Sequence, residues 1–299
     1  MKLAHYSIAF AALSLLACSS PTPATKETKK PVVYLEESFK PLFVSSIETY
    51  HSQNNMGEVT AEYAPEGKVI EALMNRTTET ICITRELNKE ELATLKKRNI
   101  EVRSEKMAKD AVALIINVDN QDSLITIAEL KDILLGKTTT WKTSKSPINI
   151  VFDNENSANF NYLKNLAGFE SIPANVYAVN SNEEVIEHVK KNKSTIGIIG
   201  VNWISDEDDP QALSFRKGLK VVSVAQNADE NYYKPYQSYI YTDEYPLTRD
   251  VFLITYASRT SPNSGFTNFM VGEKGQLIIQ KSSLIPAKMR ARMIEISTE

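Results

Sequence analysis

Residues 110–118, with the sequence DAVALIINV, are apolar at almost every position. A run without polar alternation is typical of a central strand that is covered on both faces. Shorter strand-like runs lie on either side of it along the chain: VVYLEE (32–37), EVTAEYA (58–64), TICIT (80–84), INIVF (148–152), STIGIIGV (194–201), LKVVSVA (219–225) and DVFLITYA (250–257). The stretch therefore predicts the middle of a sheet, with the other runs as its neighbours.

Segments with helical spacing of apolar residues separate these strands. Several predicted helix boundaries carry the residue types expected there, namely starts at Ser38, Asn88, Thr126, Ser157 and Ser181, a start after Pro65, a stop at Gly136 and a last helix over 264–282. Strands that alternate with helices predict an α/β fold with mostly parallel sheets.

Length and composition are those of an ordinary globular protein. The chain has 299 residues, of which 42% are hydrophobic and 24% charged, and its formal net charge is -3. This length suggests about two domains, and the absence of a basic excess argues against nucleic acid as a partner.

The N-terminus has the pattern of an export signal. Lys2 precedes the apolar run IAFAALSLLA, which is too short for a permanent membrane helix and ends in LLAC at Cys18. We expect residues 1–18 to be a lipoprotein signal peptide with Cys18 as the lipidated residue; the alternative is an ordinary signal peptide with an incidental cysteine. Residues 19–30, SSPTPATKETKK, have the composition of a flexible tether.

The side chains that most often carry chemistry give weak signals. Cys82 lies in a strand-like run and is predicted to be a buried, inert thiol. His5, His51 and His188 show no metal-like spacing, and the acidic residues 206–209 lack a calcium-loop pattern, so we expect neither a bound metal nor a cofactor. Gly136-Lys137-Thr138 resembles the end of a phosphate-binding loop, but it follows a helix and lacks the earlier glycine.

Three strand-to-helix turns remain as candidate anion sites. They begin near Ser38, Thr84 and Ser157. A helix start exposes unpaired N–H groups and the positive end of the helix dipole, so it can hold a small anion, although each hydroxyl can equally be a plain cap. Arg85 is the cation in these turns that could pair with an anion through two nitrogens.

Five ordered motifs resemble one protein family. They are MAKDAVALIINVDN (107–120), LITIAELKDILLGKTTTWK (124–142), STIGIIGVNWIS (194–205), YPLTRDVFLIT (245–255) and FMVGEKGQLIIQKSSLIPA (269–287). Together they resemble the phosphate-binding (PstS-like) substrate-binding proteins of ABC transporters, in the lipoprotein form of Bacteroidetes-type bacteria. The resemblance extends from about Val32 to Ile296 and implies a two-lobed periplasmic-binding-protein type II fold. It also implies that residues 31–112 plus 240–299 form one lobe and residues 113–239 the other.

The resemblance also implies a ligand site in the cleft between the lobes. By order along the chain, Ser38 and Phe39 match the first binding turn, Thr84 and Arg85 the second, and Ser157, Ala158 and Asn159 the third. The chain departs from the family pattern in the third turn, where Ala158 and Asn159 replace small or hydroxyl-bearing residues.

Further departures place polar or acidic residues where relatives carry other types. Asn161 stands where relatives of this subtype often have arginine, Asp153 corresponds to an arginine of other branches, and Glu66 lies where a serine is expected. The implied function is capture of phosphate or a related small oxyanion for an ABC permease, by a monomeric, membrane-anchored lipoprotein of the periplasmic face that performs no chemistry. The alternative is a diverged sensor or scaffold lipoprotein that has lost phosphate binding.

Overall fold

The computed structural model describes residues 31–53, 56–169, 171–205 and 210–288. The predicted signal peptide, Cys18 and the tether lie outside these ranges. None of the helices within them combines the length and the apolar character that crossing a bilayer requires.

The described strands run in chain order as β1 (Val32–Glu36), β2 (Thr60–Ala64), β3 (Thr80–Ile83), β4 (Arg103–Asn117), β5 (Leu124–Thr126), β6 (Asn149–Phe152), β7 (Val176–Ala178), β8 (Thr195–Gly200), β9 (Leu219–Val221), β10 (Ser223–Ala225), β11 (Thr248–Thr255) and β12 (Ile285–Pro286). The described helices are α1 (Lys40–Gln53), α2 (Glu66–Met74), α3 (Lys89–Lys97), α4 (Ile127–Leu134), α5 (Ala158–Ala167), α6 (Asn182–Lys191), α7 (Pro210–Arg216), α8 (Gln237–Tyr241), α9 (Pro262–Val271) and α10 (Glu273–Lys281).

The central sheet has the order β2-β1-β3-β11-β4-β8-β6-β7, and β4 belongs to both of its halves. β4 pairs with β11 from Arg103 to Ala111, then with β8 from Val112 to Ile116. The two halves form the two lobes of the predicted α/β fold, which is thereby confirmed. We call the half with β1, β2, β3 and β11 the first lobe and the half with β6, β7 and β8 the second lobe.

Each half is mixed in strand direction, whereas mostly parallel sheets were predicted. β1, β2 and β3 are parallel in the first lobe, and β6, β7 and β8 are parallel in the second. The difference arises at β11, which runs antiparallel to β3 and β4, and at β4, which runs antiparallel to β8. β4 also links the two lobes. The apolar pattern of a run predicts a strand but does not reveal the direction in which the strand runs in the sheet.

The prediction that residues 110–118 form a central strand is confirmed over the length that pairs. Side chains from Ala111 to Ile116 are all 0% exposed, and helices and loops cover both faces of this strand. Cys82 in β3 is also buried, as predicted, and burial raises the pKa of its thiol well above the usual value.

Local sequence signals placed most helix boundaries correctly. The side chains of Asn88, Thr126, Ser157 and Ser181 each cap a helix, and Gly136 has the positive φ of 68° that ends α4. The predicted helix start at Thr84 is wrong. The chain bends there after β3, and the next helix is α3. The predicted last helix is two helices, α9 and α10, separated at Gly272.

Candidate functional site

Turns that follow the strand ends of the two lobes meet in one place. The N–H of Gly67, at the start of α2, donates to the Asn156 carbonyl over 3.1 Å. The Asn202 amide, after β8, donates to the Ser38 carbonyl over 2.8 Å. These contacts hold the turns after β1, β2, β6 and β8 against one another. The convergence that the sequence alone could not show is therefore present.

Glu36, the last residue of β1, connects the first and third predicted turns. Its side chain is 0% exposed. Its Oε2 accepts the Ser38 N–H over 2.8 Å, and its Oε1 accepts the Ala158 N–H over 3.2 Å. Burial, with Asp153 nearby, raises the pKa of the Glu36 carboxyl to about 8. One carboxyl group thus receives backbone N–H groups from both lobes.

Glu66 organises the second turn. Its Oε1 accepts both the backbone N–H of Thr84 over 2.8 Å and the Thr84 hydroxyl over 2.7 Å. Glu66 is 2% exposed and is the first residue of α2. The helix that begins at the second turn is therefore α2. Thr84 supplies donors from the end of β3 instead.

Asp153, directly after β6, is the centre of the third turn. Its Oδ1 accepts from the Ser157 hydroxyl over 2.7 Å and from the Asn159 amide over 3.4 Å, and its Oδ2 accepts from the Asn182 amide over 3.2 Å. The Ser157 hydroxyl also accepts the Phe160 N–H and caps α5. Burial raises the pKa of Asp153 despite these donors.

Arg85 does not meet the converging turns in the way the sequence suggested. Its two terminal nitrogens donate to the two carboxylate oxygens of Glu91, over 2.9 and 2.8 Å. Glu91 also accepts the Asn88 N–H as part of the capping box of α3. The guanidinium is therefore engaged at the start of α3, and its bidentate partner is an internal carboxylate.

Arg249 in β11 is the cation that sequence reasoning missed. Its Nε donates to Asp110 Oδ2 over 2.9 Å, and the two residues stand opposite each other in the pairing of β11 with β4. The guanidinium lies 5.6 Å from the ring centre of Phe39, which belongs to the core, and its Nη1 has no hydrogen-bond partner within the described structure. The sequence signal was weak, because β4 and β11 also carry other charged residues, such as Lys109 and Asp250.

Three further polar atoms at the convergence lack partners among the described residues, one of them Asn202 Oδ1. The other two are the Ser38 hydroxyl and Asn159 Oδ1, whose side chains are 0% exposed. Buried polar atoms are nearly always paired, so unpaired ones indicate a place for a ligand or a water. No group of three histidine, cysteine or acidic side chains in the described ranges is placed to hold a metal ion.

The predicted site residues fall into three groups. Ser38, Ala158, Ser157 and Asn159 lie at the convergence, where Glu36 and Asp153 contact them. Thr84 is connected to the convergence through its hydrogen bonds to Glu66. Phe39 packs against the guanidinium of Arg249, and Arg85 pairs with Glu91. The participation of Glu36, Asn182 and Arg249 was not predicted from the sequence. The three acidic residues Glu36, Glu66 and Asp153 are called the carboxylate cluster below.

Curated proteins with similar sequences are phosphate-binding proteins. The phosphate-binding protein PstS of Borreliella burgdorferi is 25% identical over 260 residues, which cover 83% of this chain and 86% of that protein. The PstS of Staphylococcus aureus (strain USA300) is 29% identical over 204 residues, 64% of this chain and 59% of that protein. These relatives confirm the resemblance to PstS-like proteins that the ordered motifs indicated, whereas the lipoprotein form and the Bacteroidetes type stay predictions.

Solved structures show the same fold. A Clostridium perfringens protein that contains bound phosphate aligns with a TM-score of 0.72 at 20% identity, covering 87% of this chain and 100% of that one. An ABC-type phosphate transport receptor from Vibrio cholerae aligns with a TM-score of 0.64 at 18% identity, covering 86% and 99%. The family model described as a PBP superfamily domain matches residues 32–274. Because this match covers most of the chain, the protein belongs to the PBP superfamily.

Proposed function

We propose that this protein is a solute-binding protein that captures phosphate, or a related small oxyanion, in the cleft between its lobes and delivers it to an ABC permease. We place the lobe boundaries at residues 31–112 plus 240–299 and at 113–239. The change of partner strand along β4, from β11 at Ala111 to β8 at Val112, supports the first boundary.

One observation carries the proposal. The N–H groups of Ser38 and Ala158 come from different lobes, and both point at one carboxyl group. A carboxylate is itself a small oxyanion, so the two donors are arranged for an oxyanion of that size. Ala158 is the first residue of α5, where the helix dipole adds to the attraction for a negative charge.

Polar groups around this point suit a tetrahedral oxyanion. The unpaired Ser38 hydroxyl and Arg249 Nη1 are donors, and Asn159 Oδ1 is an acceptor for a protonated phosphate oxygen. Burial raises the pKa of Glu36 to about 8, so a proton on this carboxyl group lowers the negative charge of the cleft near neutral pH. Burial also raises the pKa of Asp153. An incoming anion is repelled less by protonated acids than by ionised ones.

The other parts of the proposal concern location and partners. The N-terminal pattern and Cys18 support export and a lipid anchor at the periplasmic face. The Vibrio cholerae neighbour is an ABC-type transport receptor, which supports a permease as the partner. We propose that the protein performs no catalysis, because the relatives are named as binding proteins. We also propose that it acts as a monomer. The same relatives favour phosphate capture over the alternative of a diverged protein that has lost it.

Isothermal titration calorimetry on the purified protein tests this function. The protein is first freed of bound ligand by partial unfolding, dialysis and refolding, and then titrated with phosphate, arsenate and sulfate. We expect saturable heat with phosphate and arsenate. Protein that is shown to be folded and ligand-free, yet gives no heat with any of the three anions, would refute the proposal.

A further inference from the structure

The donors that make the cleft suitable for an oxyanion already have acceptors from the chain itself. Glu36 accepts the N–H groups of Ser38 and Ala158, and Glu66 accepts both donors of Thr84. A bound oxyanion needs donors of this kind, and one N–H cannot serve two acceptors at full strength. The hydrogen-bond donors of the cleft are therefore occupied by carboxyl groups of the chain itself.

We infer that the Glu36 side chain is a built-in occupant of the oxyanion position: it joins the two lobes in the absence of solute, and phosphate must displace it to bind. This inference rests on the proposed function, since it concerns competition for the same N–H groups. It makes Glu36 a residue that sets affinity and selectivity, although its position at the end of β1 gave no such signal in the sequence.

Geometry distinguishes Glu36 from the other acids of the carboxylate cluster. Glu66 contacts donors of the first lobe alone, at the end of β3, and Asp153 contacts side chains that follow β6 and β7 in the second lobe. Glu36 has one oxygen on each lobe. Its displacement therefore affects both the oxyanion position and the contact between the lobes.

Charged and titratable groups around Glu36 make its occupancy dependent on pH. Asp153 from the end of β6 and Glu66 from the start of α2 repel its negative charge, and Arg249 from β11 attracts it. The Cys82 thiol from β3 is close enough to interact electrostatically with it and is kept neutral by burial. When Glu36 is protonated, its hold on the two N–H groups is weaker, because charge-assisted hydrogen bonds are the stronger kind. Phosphate should thus displace it more readily at lower pH.

Titration calorimetry with inorganic phosphate tests the competition. Glu36→Ala removes the internal carboxyl group, and Glu36→Gln keeps its shape without its charge. We expect Glu36→Ala to bind phosphate at least about tenfold more tightly than the wild type at pH 8, with a smaller difference at pH 6. Glu48→Ala, which removes an exposed acid on α1, is the matched control for net charge and should leave the affinity unchanged.

Hydrogen exchange without phosphate tests the occupancy independently. We follow peptides that contain Ser38 or Ala158 by mass spectrometry in phosphate-free buffer. If Glu36 holds these N–H groups, both peptides exchange faster in Glu36→Ala than in the wild type, whereas peptides from β4 do not change. Circular dichroism and the thermal midpoint of both Glu36 variants establish that each is folded.

The outcomes separate the inference from the proposed function. Equal or weaker phosphate binding by folded Glu36→Ala, or unchanged exchange at Ser38 and Ala158, overturns the inference even if the wild type binds phosphate. Faster exchange without phosphate binding by any variant supports the internal contact, refutes displacement by phosphate, and counts against the proposed function. Tighter binding together with faster exchange supports both.

Discussion

Replacing Glu36 by glutamine should change how the stability of the protein depends on pH. The carboxyl group is fully buried, and its pKa is raised from 4.5 to about 8, first by burial and then by Asp153. Between these two values the folded protein keeps a proton that the unfolded chain has released. The stability of the wild type therefore falls as the pH rises through this window. Glutamine does not titrate, so the contribution of the Glu36 carboxyl group to this slope disappears in Glu36→Gln.

The size of the effect follows from the shift in pKa. Each unit corresponds to about 1.4 kcal/mol, so a shift from 4.5 to about 8 sets an upper bound of about 5 kcal/mol. For a chain of this size, 1 kcal/mol moves the thermal midpoint by about 2–4 °C.

Glutamine also has an effect that is independent of pH. Its Nε2 is a donor and cannot accept the N–H of either Ser38 or Ala158, so one N–H loses its partner at a cost of about 1–3 kcal/mol. We expect Glu36→Gln to be less stable than the wild type at pH 5. The difference should shrink, or reverse, by pH 9.

Differential scanning fluorimetry of both proteins from pH 5 to 9, in phosphate-free buffer, measures this change. The informative quantity is the difference in midpoint at each pH, because common effects of pH cancel. Glu48→Gln, at an exposed position of α1, should run parallel to the wild type. A difference between Glu36→Gln and the wild type that stays constant within about 1 °C would show that Glu36 does not hold its proton through burial.

Three further substitutions test other contacts. Arg249→Leu leaves the buried Asp110 without its partner, and we expect urea unfolding to show a loss of about 3–5 kcal/mol; a loss below 1 kcal/mol would contradict a buried ion pair. Ser157→Ala removes both the cap of α5 and a donor to the fully buried carboxyl group of Asp153, so its thermal midpoint should fall further than that of Ser181→Ala, which loses the cap of α6 and a contact with the half-buried Glu183; equal losses would argue against a role for burial of the Asp153 contact. Gly197→Ala places a Cβ within 2.6–2.9 Å of three side chains, and urea unfolding should show a loss of about 1–3 kcal/mol, whereas unchanged stability would mean that the core can adjust.

The sequence determined the fold class and most local boundaries of this protein. The apolar stretch 110–118 predicts a strand covered on both sides, and Ala111 to Ile116 are fully buried. The hydroxyl of Ser157 predicts a cap, and it caps α5. A helix cap depends on neighbours within a few residues, and the burial of a strand depends on its apolar surface. Both can be read from the sequence.

Tertiary structure decided the partners of the charged side chains. Arg85 could pair with a ligand or with any nearby acid, and the fold gives it Glu91, six positions along the chain. Arg249 meets Asp110 because β11 and β4 are neighbours in the sheet, a pairing between segments 139 residues apart. Side-chain type alone does not specify which of several possible partners a charge will meet.

The third turn shows the same division. Its sequence predicted a helix start with donors for an anion, and the structure contains that start at Ser157 and Ala158. The acceptor that Ala158 meets, however, is Glu36, which lies 122 residues earlier in the chain. Local sequence determined that the N–H group is available, because a helix start leaves it unpaired. Only the packing of the two lobes decided what it binds, because hydrogen-bond partners that are distant in sequence are set by where the strands end in space.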